Sequence, residues 1–136
     1  MQIYHSRYSR LHGSSYKEIY PQAYLKYRQI QHNTKRQPYI RSVYFGKDKV
    51  FLTYFWQHIR EKNYRDRTRR LRYFEAALDV VRNSYYKPTS KQNPNSGHEL
   101  LYRFAGATKD NQFFYVQIKE NTKTKRKDLI SIVPVN

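Results

Sequence analysis

The sequence contains no cysteine, which excludes a disulfide framework and a zinc site built from thiolates. Its five histidines lack the spacing of a metal-binding pair, so we expect neither a bound metal nor another cofactor. No apolar run approaches the length of a membrane span, and the polar residues 1–7 do not resemble a secretory signal. Phosphate-binding glycine loops and nucleophile elbows are also missing, which excludes most nucleotide-dependent and acyl-transfer enzymes. We therefore expect a soluble, cytoplasmic protein.

Acidic residues are scarce as well. The 136 residues include 10 Asp and Glu against 27 Lys and Arg, so the formal net charge is +17. Residues 1–45 and residues 46–136 both carry this excess, so it is not confined to a detachable tail. A charge of this size repels itself within the fold and is relieved by a polyanion. We expect nucleic acid as the partner rather than an anionic membrane, because no long basic amphipathic helix is evident.

Aromatic residues, in contrast, are abundant, with 15 Tyr, 7 Phe and one Trp. Tyrosine rings between arginines offer stacking planes to bases and hydroxyl donors to phosphates. Tyrosine also fills half-wet cores, and for tyrosines on strands this second explanation is at least as good.

The chain divides into two parts by composition. Residues 1–38 are polar, rich in tyrosine and poor in aliphatic side chains. A helix from Ser15 to about Ile30, interrupted by Pro21, fits the pattern, but its apolar stripe is too thin to fold alone. We predict a basic, Tyr-rich N-terminal arm that either packs on the body or becomes ordered on a partner. Residues 39–136 are predicted to form an α+β domain.

A hairpin and two helices are predicted in the first half of this domain. Tyr39–Phe45 and Val50–Leu52 flank a turn that contains glycine, which indicates a hairpin. A helix over Thr53–Lys62 follows, with His58 at the edge of its apolar face. Apolar residues at helical spacing predict a second helix over about Asp66–Asn83.

Three strands are predicted in the second half, over Glu99–Ala105, Gln112–Glu120 and Leu129–Val133. Alternation along the last strand places Ile130 on the core face and Ser131 on the opposite face. The predicted fold is α+β, with two N-terminal helices packed on a small antiparallel sheet. This sheet is a three-stranded C-terminal meander, and a basic N-terminal arm precedes the domain.

Polar side chains on the outer sheet face suit metal-free RNA cleavage. That reaction needs groups that take the proton from a ribose 2′-hydroxyl and protonate the leaving oxygen, and cations that stabilise the transition state. A histidine, with an ordinary pKa of about 6.5, can serve either proton role. We predict His58 as general acid or base, Arg103 and Lys119 on the phosphate, and Ser131 as an orienting or donating hydroxyl.

Further side chains are predicted to hold RNA without reacting. They lie on the arginine-rich stretch, on the polar sheet face and in the basic loop before the last strand: Arg60, Arg65, Arg67, Arg69, Arg70, Arg72, Tyr115, Gln117, Lys123, Lys125 and Arg126.

Each assignment also has a purely structural explanation. His58 can pad a helix, and the arginines can form a solvated binding face without a catalytic member. Lys119 and Ser131 can be ordinary outward residues of strands. Arg103 is the stronger candidate, because a charge in an otherwise apolar strand needs a partner or a substrate.

Four segments resemble the barnase–EndoU–colicin–RelE ribonuclease superfamily, in particular its phage- and toxin-associated members. They are Val50–Ile59, the Arg-rich helix Arg69–Leu78, and the strands Phe114–Glu120 and Leu129–Ile132. The resemblance covers about residues 39–136. It implies a metal-independent endoribonuclease, often a bacterial toxin restrained by an acidic antitoxin or immunity protein.

The resemblance also implies roles for individual residues. His58 corresponds to the early histidine of the superfamily, and Lys119 and Ser131 correspond to its late strand residues. Members often carry threonine where this chain has Ser131, which is a departure from the pattern.

Two functions of different classes fit these observations best. The first is an endoribonuclease that acts on structured or ribosome-bound RNA. The second is a non-catalytic RNA-binding protein, such as a component of a ribonucleoprotein complex, and the Tyr- and Arg-rich arm favours it. A duplex DNA binder ranks lower, because the exposed positions of the Arg-rich helix offer few base-reading side chains other than arginine.

Overall fold

The structure is a computed structural model that describes residues 1–135; Asn136, the last residue of the predicted domain, lies outside the described residues. This range has an α+β fold with four α-helices and one sheet of seven strands. The helices are α1 (Tyr16–His32), α2 (Thr53–His58), α3 (Tyr64–Leu71) and α4 (Phe74–Asn83), with a 3-10 turn (Ile59–Glu61) after α2. The strands are β1 (Ile3–His5), β2 (Tyr39–Ser42), β3 (Asp48–Phe51), β4 (Thr89–Gln92), β5 (Glu99–Ala107), β6 (Phe113–Asn121) and β7 (Lys127–Pro134).

The predicted architecture of two helices on a three-stranded antiparallel sheet is wrong. The meander is present as the antiparallel strands β5, β6 and β7. However, it forms the middle of a mixed, curled sheet with the order β1-β5-β6-β7-β3-β2, and β4 also pairs with β5. β1 runs parallel to β5, and β3 runs parallel to β7. Parallel strand pairs join segments that are far apart in the chain, so no local sequence pattern predicts them.

The core lies between one face of the sheet and the helices. Phe114, Val116 and Ile118 of β6 are buried, whereas the intervening Gln117 is only half-buried, so the predicted alternation of this strand is confirmed. α4 packs on β2, β5 and β6 and buries Phe74 completely. Each such buried side chain contributes about 1.5–3 kcal/mol relative to an exposed one.

A β-bulge in β7 changes the orientation of its side chains. Gln117 pairs with Ser131 while the next residue, Ile118, pairs with Leu129, so Ile130 is the extra residue. The prediction that Ile130 faces the core is therefore wrong. Leu129 takes the core position, and both Ile130 and Ser131 remain half-buried. Bulges bend a strand and redirect its side chains, and they occur often beside functional sites.

The predicted helix over Asp66–Asn83 is in fact two helices, α3 and α4, which meet at Arg72 and Tyr73. The N-terminal segment crosses the chain at this point. The Leu11 amide donates to the Arg72 carbonyl at 2.7 Å, and Arg72 Nε donates back to the Leu11 carbonyl at 3.3 Å. The crossing is a tertiary contact, which explains why the helical spacing of the sequence gave no sign of a break.

Residues of the predicted N-terminal arm pack on the rest of the molecule. α1 confirms the predicted helix, but the predicted interruption is wrong, because Pro21 lies inside an unbroken helix. The helix begins with a capping box, in which Ser15 and Glu18 hydrogen-bond each other's backbone amides. Ile19 is completely buried, and the Tyr27 ring stacks on Trp56 with a centroid distance of 4.4 Å. The sequence left open whether this segment packs on the body or becomes ordered on a partner; in the described structure it packs on the body.

A buried carboxylate, Asp79 of α4, fixes the segment before α1. It accepts hydrogen bonds from the Ser6 hydroxyl at 2.7 Å, the Tyr4 hydroxyl at 3.1 Å and the Arg7 amide at 3.3 Å. Asn83 donates a fourth at 2.7 Å. Burial alone would raise the pKa of Asp79, but these hydrogen bonds outweigh it and lower the pKa.

Candidate functional site

His58 is the last residue of α2, and its ring is held in one orientation. Nδ1 lies 2.8 Å from the backbone carbonyl oxygen of Tyr54. Because a carbonyl only accepts, Nδ1 must carry the hydrogen and Nε2 the lone pair in the neutral ring. The ring also stacks on the Tyr54 ring at a centroid distance of 3.9 Å. The His58 side chain is 40% exposed, so it is not turned inward, and its two contacts with Tyr54 restrict rotation of the ring.

A cavity of about 170 Å³ lies beside this ring, and we call it the His58 cavity. The bulge of β7 turns Ile130 and Ser131 toward it. The volume is below the range of roughly 300–1,000 Å³ that is usual for sites of whole ligands, so a phosphate group suits it better than a nucleotide. Its lining residues come from α2, the 3-10 turn, α3 and β7: Tyr54, Phe55, His58, Ile59, Glu61, Lys62, Arg70, Ile130 and Ser131.

Arg70 supplies a fixed positive charge to the cavity. Its Nε donates to Asp66 Oδ2 at 3.1 Å, and its Nη1 donates to Ser131 Oγ at 3.2 Å and to the Ile132 carbonyl at 2.7 Å. The side chain is only 17% exposed. A guanidinium held by partners on both sides cannot reorient, so the cation is preorganised.

Lys119 lies behind Tyr54 rather than in the His58 cavity. Its Nζ is 4.9 Å from the centre of the Tyr54 ring, while His58 stacks on the same ring. Since a parallel stack covers one face, the ammonium lies over the other. Lys119 also pairs with Glu99 at 3.7 Å. Its positive charge is therefore close to the cavity but separated from His58 by one aromatic ring.

Arg103 faces a different groove. It is opposite Gln117 on β6, which is in turn opposite Ser131 on β7, so two strand spacings separate it from the His58 cavity. With the Gln117 amide turned to satisfy its hydrogen bonds, Oε1 accepts from Arg103 Nη2 at 2.7 Å. The Arg103 guanidinium lies 4.9 Å from the centre of the Tyr115 ring. The groove beside Arg103 has about 430 Å³ and is also lined by Lys91.

Four arginines line a second groove, between residues 10–16 and the outer face of α3. We call it the arginine groove, and it has a volume of about 490 Å³. Three predicted RNA-binding residues contribute to it, together with residues that the sequence did not indicate. The lining residues are Arg10, Ser14, Tyr16, Tyr64, Arg65, Thr68, Arg69, Arg72 and Tyr73.

Arg67 and Arg60 have other positions. Arg67 Nη2 donates to the carbonyls of Arg60 at 2.7 Å and Lys62 at 3.0 Å, so this guanidinium holds the turn before α3. The Arg60 side chain is exposed on that turn.

The remaining basic candidates lie in the β6–β7 loop, away from the His58 cavity and from both grooves. Arg126 stacks over Phe51 at 4.1 Å and pairs with Asp128 at 3.2 Å. Lys125 lines a shallow groove beside β3, and Lys123 is exposed. These residues do not line the His58 cavity.

Sequence reasoning missed several residues of the two sites. Tyr54 and Glu61 lie four residues before and three after His58, a spacing that brings helical side chains together and could have indicated them. Arg10 and Tyr16 have no such local signal, because only the packing of the N-terminal segment on α3 places them in the arginine groove.

Within residues 1–135, no three His, Asp or Glu side chains converge so that they could hold a metal ion. No helix in the same range is long and apolar enough to cross a bilayer. No family model matches the chain, and neither a curated protein nor a solved structure is significantly similar to it. Function is therefore inferred from the chemistry of the site and from the sequence.

Proposed function

We propose that the protein is a metal-independent endoribonuclease that cleaves RNA by attack of a ribose 2′-hydroxyl on the adjacent phosphate. The observation that carries this proposal is the cavity shared by His58, Arg70 and Ser131. A base with a fixed tautomer, a fixed cation and a hydroxyl surround a space that suits one phosphate group. The net charge of +17 favours a polyanionic substrate.

In this proposal His58 acts as the general base. Nδ1 donates to the Tyr54 carbonyl, so Nε2 takes the proton from the 2′-hydroxyl. Glu61 Oε1, 3.9 Å from Nε2, stabilises the imidazolium that forms. The 2′-oxygen bonds to phosphorus, the bond from phosphorus to the 5′-oxygen breaks, and the 5′-oxygen takes a proton from solvent. The products carry a 2′,3′-cyclic phosphate and a 5′-hydroxyl.

Arg70 and Ser131 act on the phosphate. Negative charge gathers on the non-bridging oxygens in the transition state, where a fixed guanidinium stabilises it without reorganising. The Ser131 oxygen accepts from Arg70, so its own hydrogen is available to a phosphate oxygen. Lys119 adds positive charge from behind Tyr54. Arg103, two strand spacings away, is assigned to a neighbouring phosphate instead of the reacting one.

The biological setting is part of the same proposal. RNA cleavage would take place in the cytoplasm, and the superfamily resemblance favours a bacterial or phage-associated toxin. An acidic antitoxin or immunity protein would restrain it, since the excess charge that attracts RNA also attracts an acidic protein.

A non-catalytic RNA-binding protein is the second candidate. The observation that favours it is the arginine groove, whose arginines and tyrosines can bind RNA without any reaction at His58.

The test is incubation of the purified protein with total RNA in EDTA. We expect cleavage by the wild type and a loss of at least about 100-fold in rate for His58→Ala, because general acid–base catalysis contributes 10²–10⁴-fold. His98→Ala is the matched control, since His98 lies exposed in the loop before β5. It should cleave like the wild type.

Thermal unfolding and RNA binding of His58→Ala are measured in parallel, so that a folding defect is not mistaken for lost catalysis. Cleavage that persists in His58→Ala, or that EDTA abolishes, contradicts the proposal. Binding by a wild-type protein that leaves the RNA intact supports the second candidate instead.

A further inference from the structure

The arginine groove has an unusual balance of charge. Four arginines line it, and none of the described residues that line it is Asp or Glu. Three of these arginines are held by partners: Arg10 Nε pairs with Asp110 at 2.9 Å, Arg72 donates to the Leu11 carbonyl, and Arg69 donates to the Pro134 carbonyl. Although burial alone would raise the pKa of Asp110, hydrogen bonds from Thr108 and Arg10 lower it to about 2. Asp110 is therefore ionised over the whole neutral pH range and holds Arg10 in place, while the guanidinium groups of the groove remain protonated.

Aromatic rings lie beside these charges. Tyr64 and Tyr16 meet edge to face at a centroid distance of 5.2 Å. The Arg67 guanidinium covers one face of the Tyr64 ring at 4.8 Å, yet the residue is still 66% exposed. A ring supported from behind and open in front is a stacking platform for a base. A site for inorganic anions would not need such a platform.

The arginine groove and the His58 cavity are neighbours on α3, which supplies Arg69 to the groove and Arg70 to the cavity. Asp66 joins the two, because its carboxylate lies 3.9 Å from Arg69 in the groove and 3.1 Å from Arg70 in the cavity. Arg69 also donates to the Pro134 carbonyl at 3.1 Å, and Arg70 to the Ile132 carbonyl at 2.7 Å. Adjacent helical residues project about 100° apart, so a flexible strand can pass from one site to the other.

We propose that the arginine groove binds a single-stranded RNA segment next to the scissile phosphate, with phosphates on its arginines and a base stacked on Tyr64. This inference rests on the proposed function, because it places the bound RNA segment next to the phosphate that is cleaved at His58. Single strands offer unstacked bases and flexible backbones, which suit a groove that combines cations with open aromatic faces.

The test measures binding separately from cleavage. All variants are made in His58→Ala protein, and the probe is a 5′-fluorescein-labelled single-stranded RNA of about 12 nucleotides, longer than the roughly 4 that a small site holds. Fluorescence anisotropy is recorded over a series of salt concentrations. The second probe is inorganic polyphosphate of similar length, which has phosphates and no bases. Its binding is measured by its ability to displace the labelled RNA.

Arg65→Ala and Tyr64→Ser are compared with matched controls outside the groove. Arg28→Ala removes the same charge from the exposed far end of α1, and Tyr85→Ser removes a tyrosine that is 77% exposed. We expect Arg65→Ala to weaken binding of both probes and to reduce the salt slope by about 0.7, the value for one phosphate contact on a single strand. Tyr64→Ser should weaken RNA binding about five-fold or more and leave polyphosphate unaffected.

Two results would overturn this inference. The first is Arg65→Ala binding RNA like Arg28→Ala, and the second is Tyr64→Ser binding RNA like Tyr85→Ser, which would leave a plain anion site. The cleavage assay tests the proposed function separately: if the wild-type protein does not cleave RNA, the proposed function fails. If cleavage depends on His58 but Arg65→Ala does not weaken RNA binding, only the proposal for the arginine groove is overturned.

Discussion

At the scale of single residues, Asp79 joins the first strand segment to α4. Burial opposes its ionisation, and hydrogen bonds from Ser6, Asn83, the Arg7 amide and Tyr4 more than offset it, so its pKa lies below the ordinary value of 3.8. A carboxylate with a lowered pKa stabilises the folded state above its unfolded pKa. That stabilisation is present at neutral pH and is lost as the pH falls through the folded pKa.

We expect Asp79→Asn to reduce the free energy of unfolding by about 2 kcal/mol at neutral pH, because an amide nitrogen would face groups that donate. The difference from wild type should shrink as the pH falls below about 4. Urea unfolding at each pH measures both effects. Glu75→Gln is the control on the same helix, with a partly exposed pair to Lys26 at 3.6 Å, and should cost less than about 0.5 kcal/mol. Equal losses in the two variants would contradict the role given to Asp79.

At the scale of elements, α1 is a part of the core. Ile19 is fully buried beneath it, whereas Leu25 on the same helix is 61% exposed. We expect Ile19→Ala to cost about 3 kcal/mol, the typical price of a large-to-small change in a core. Leu25→Ala should change stability by less than about 0.5 kcal/mol. Denaturant titration compares them, and similar small effects would mean that α1 is a separable arm.

Elements with their own periodicity could be predicted from the sequence. The alternation of β6, the turn between β2 and β3 and the helical spacing at α2 are all local patterns. β1 and β4 have no such pattern: β4 is the fully exposed Thr89–Gln92, and both strands exist through their pairing with one edge of β5. The break between α3 and α4 depends on Leu11, which is 61 positions from its partner Arg72 in the chain.

The candidate site was predictable to the same extent. His58 stood out because it lies at the edge of a short amphipathic helix, and Tyr54 follows from helical spacing. Ser131 faces the cavity only because Ile130 forms a bulge, which simple alternation cannot reveal. Arg103 was grouped with Lys119 and Ser131 because alternation places all three on one face of the predicted meander. The meander itself was predicted, but the position of His58 relative to its strands depends on how α2 packs, which no local pattern indicates.

At the scale of the whole molecule, the net charge of +17 should make stability depend on salt. Repulsion among the basic side chains opposes folding, and the Debye length falls from about 30 Å at 10 mM salt to about 3 Å at 1 M. We expect the melting temperature to rise with sodium chloride over this range, as measured by calorimetry. Sorbitol at matched osmolality is the control for general effects of the solute. A melting temperature that falls or stays constant with salt would contradict this expectation.

The bulge on β7 has a consequence for the cell that makes this protein. Arg70 and Ser131 are 61 positions apart in the chain. The ribosome therefore synthesises His58 and Arg70 well before β7, the strand that supplies the Ser131 hydroxyl. At typical synthesis rates of 5–20 residues per second, the delay is roughly 3–12 seconds. Under the proposed function, the site on a nascent chain therefore stays incomplete until β7 has been synthesised.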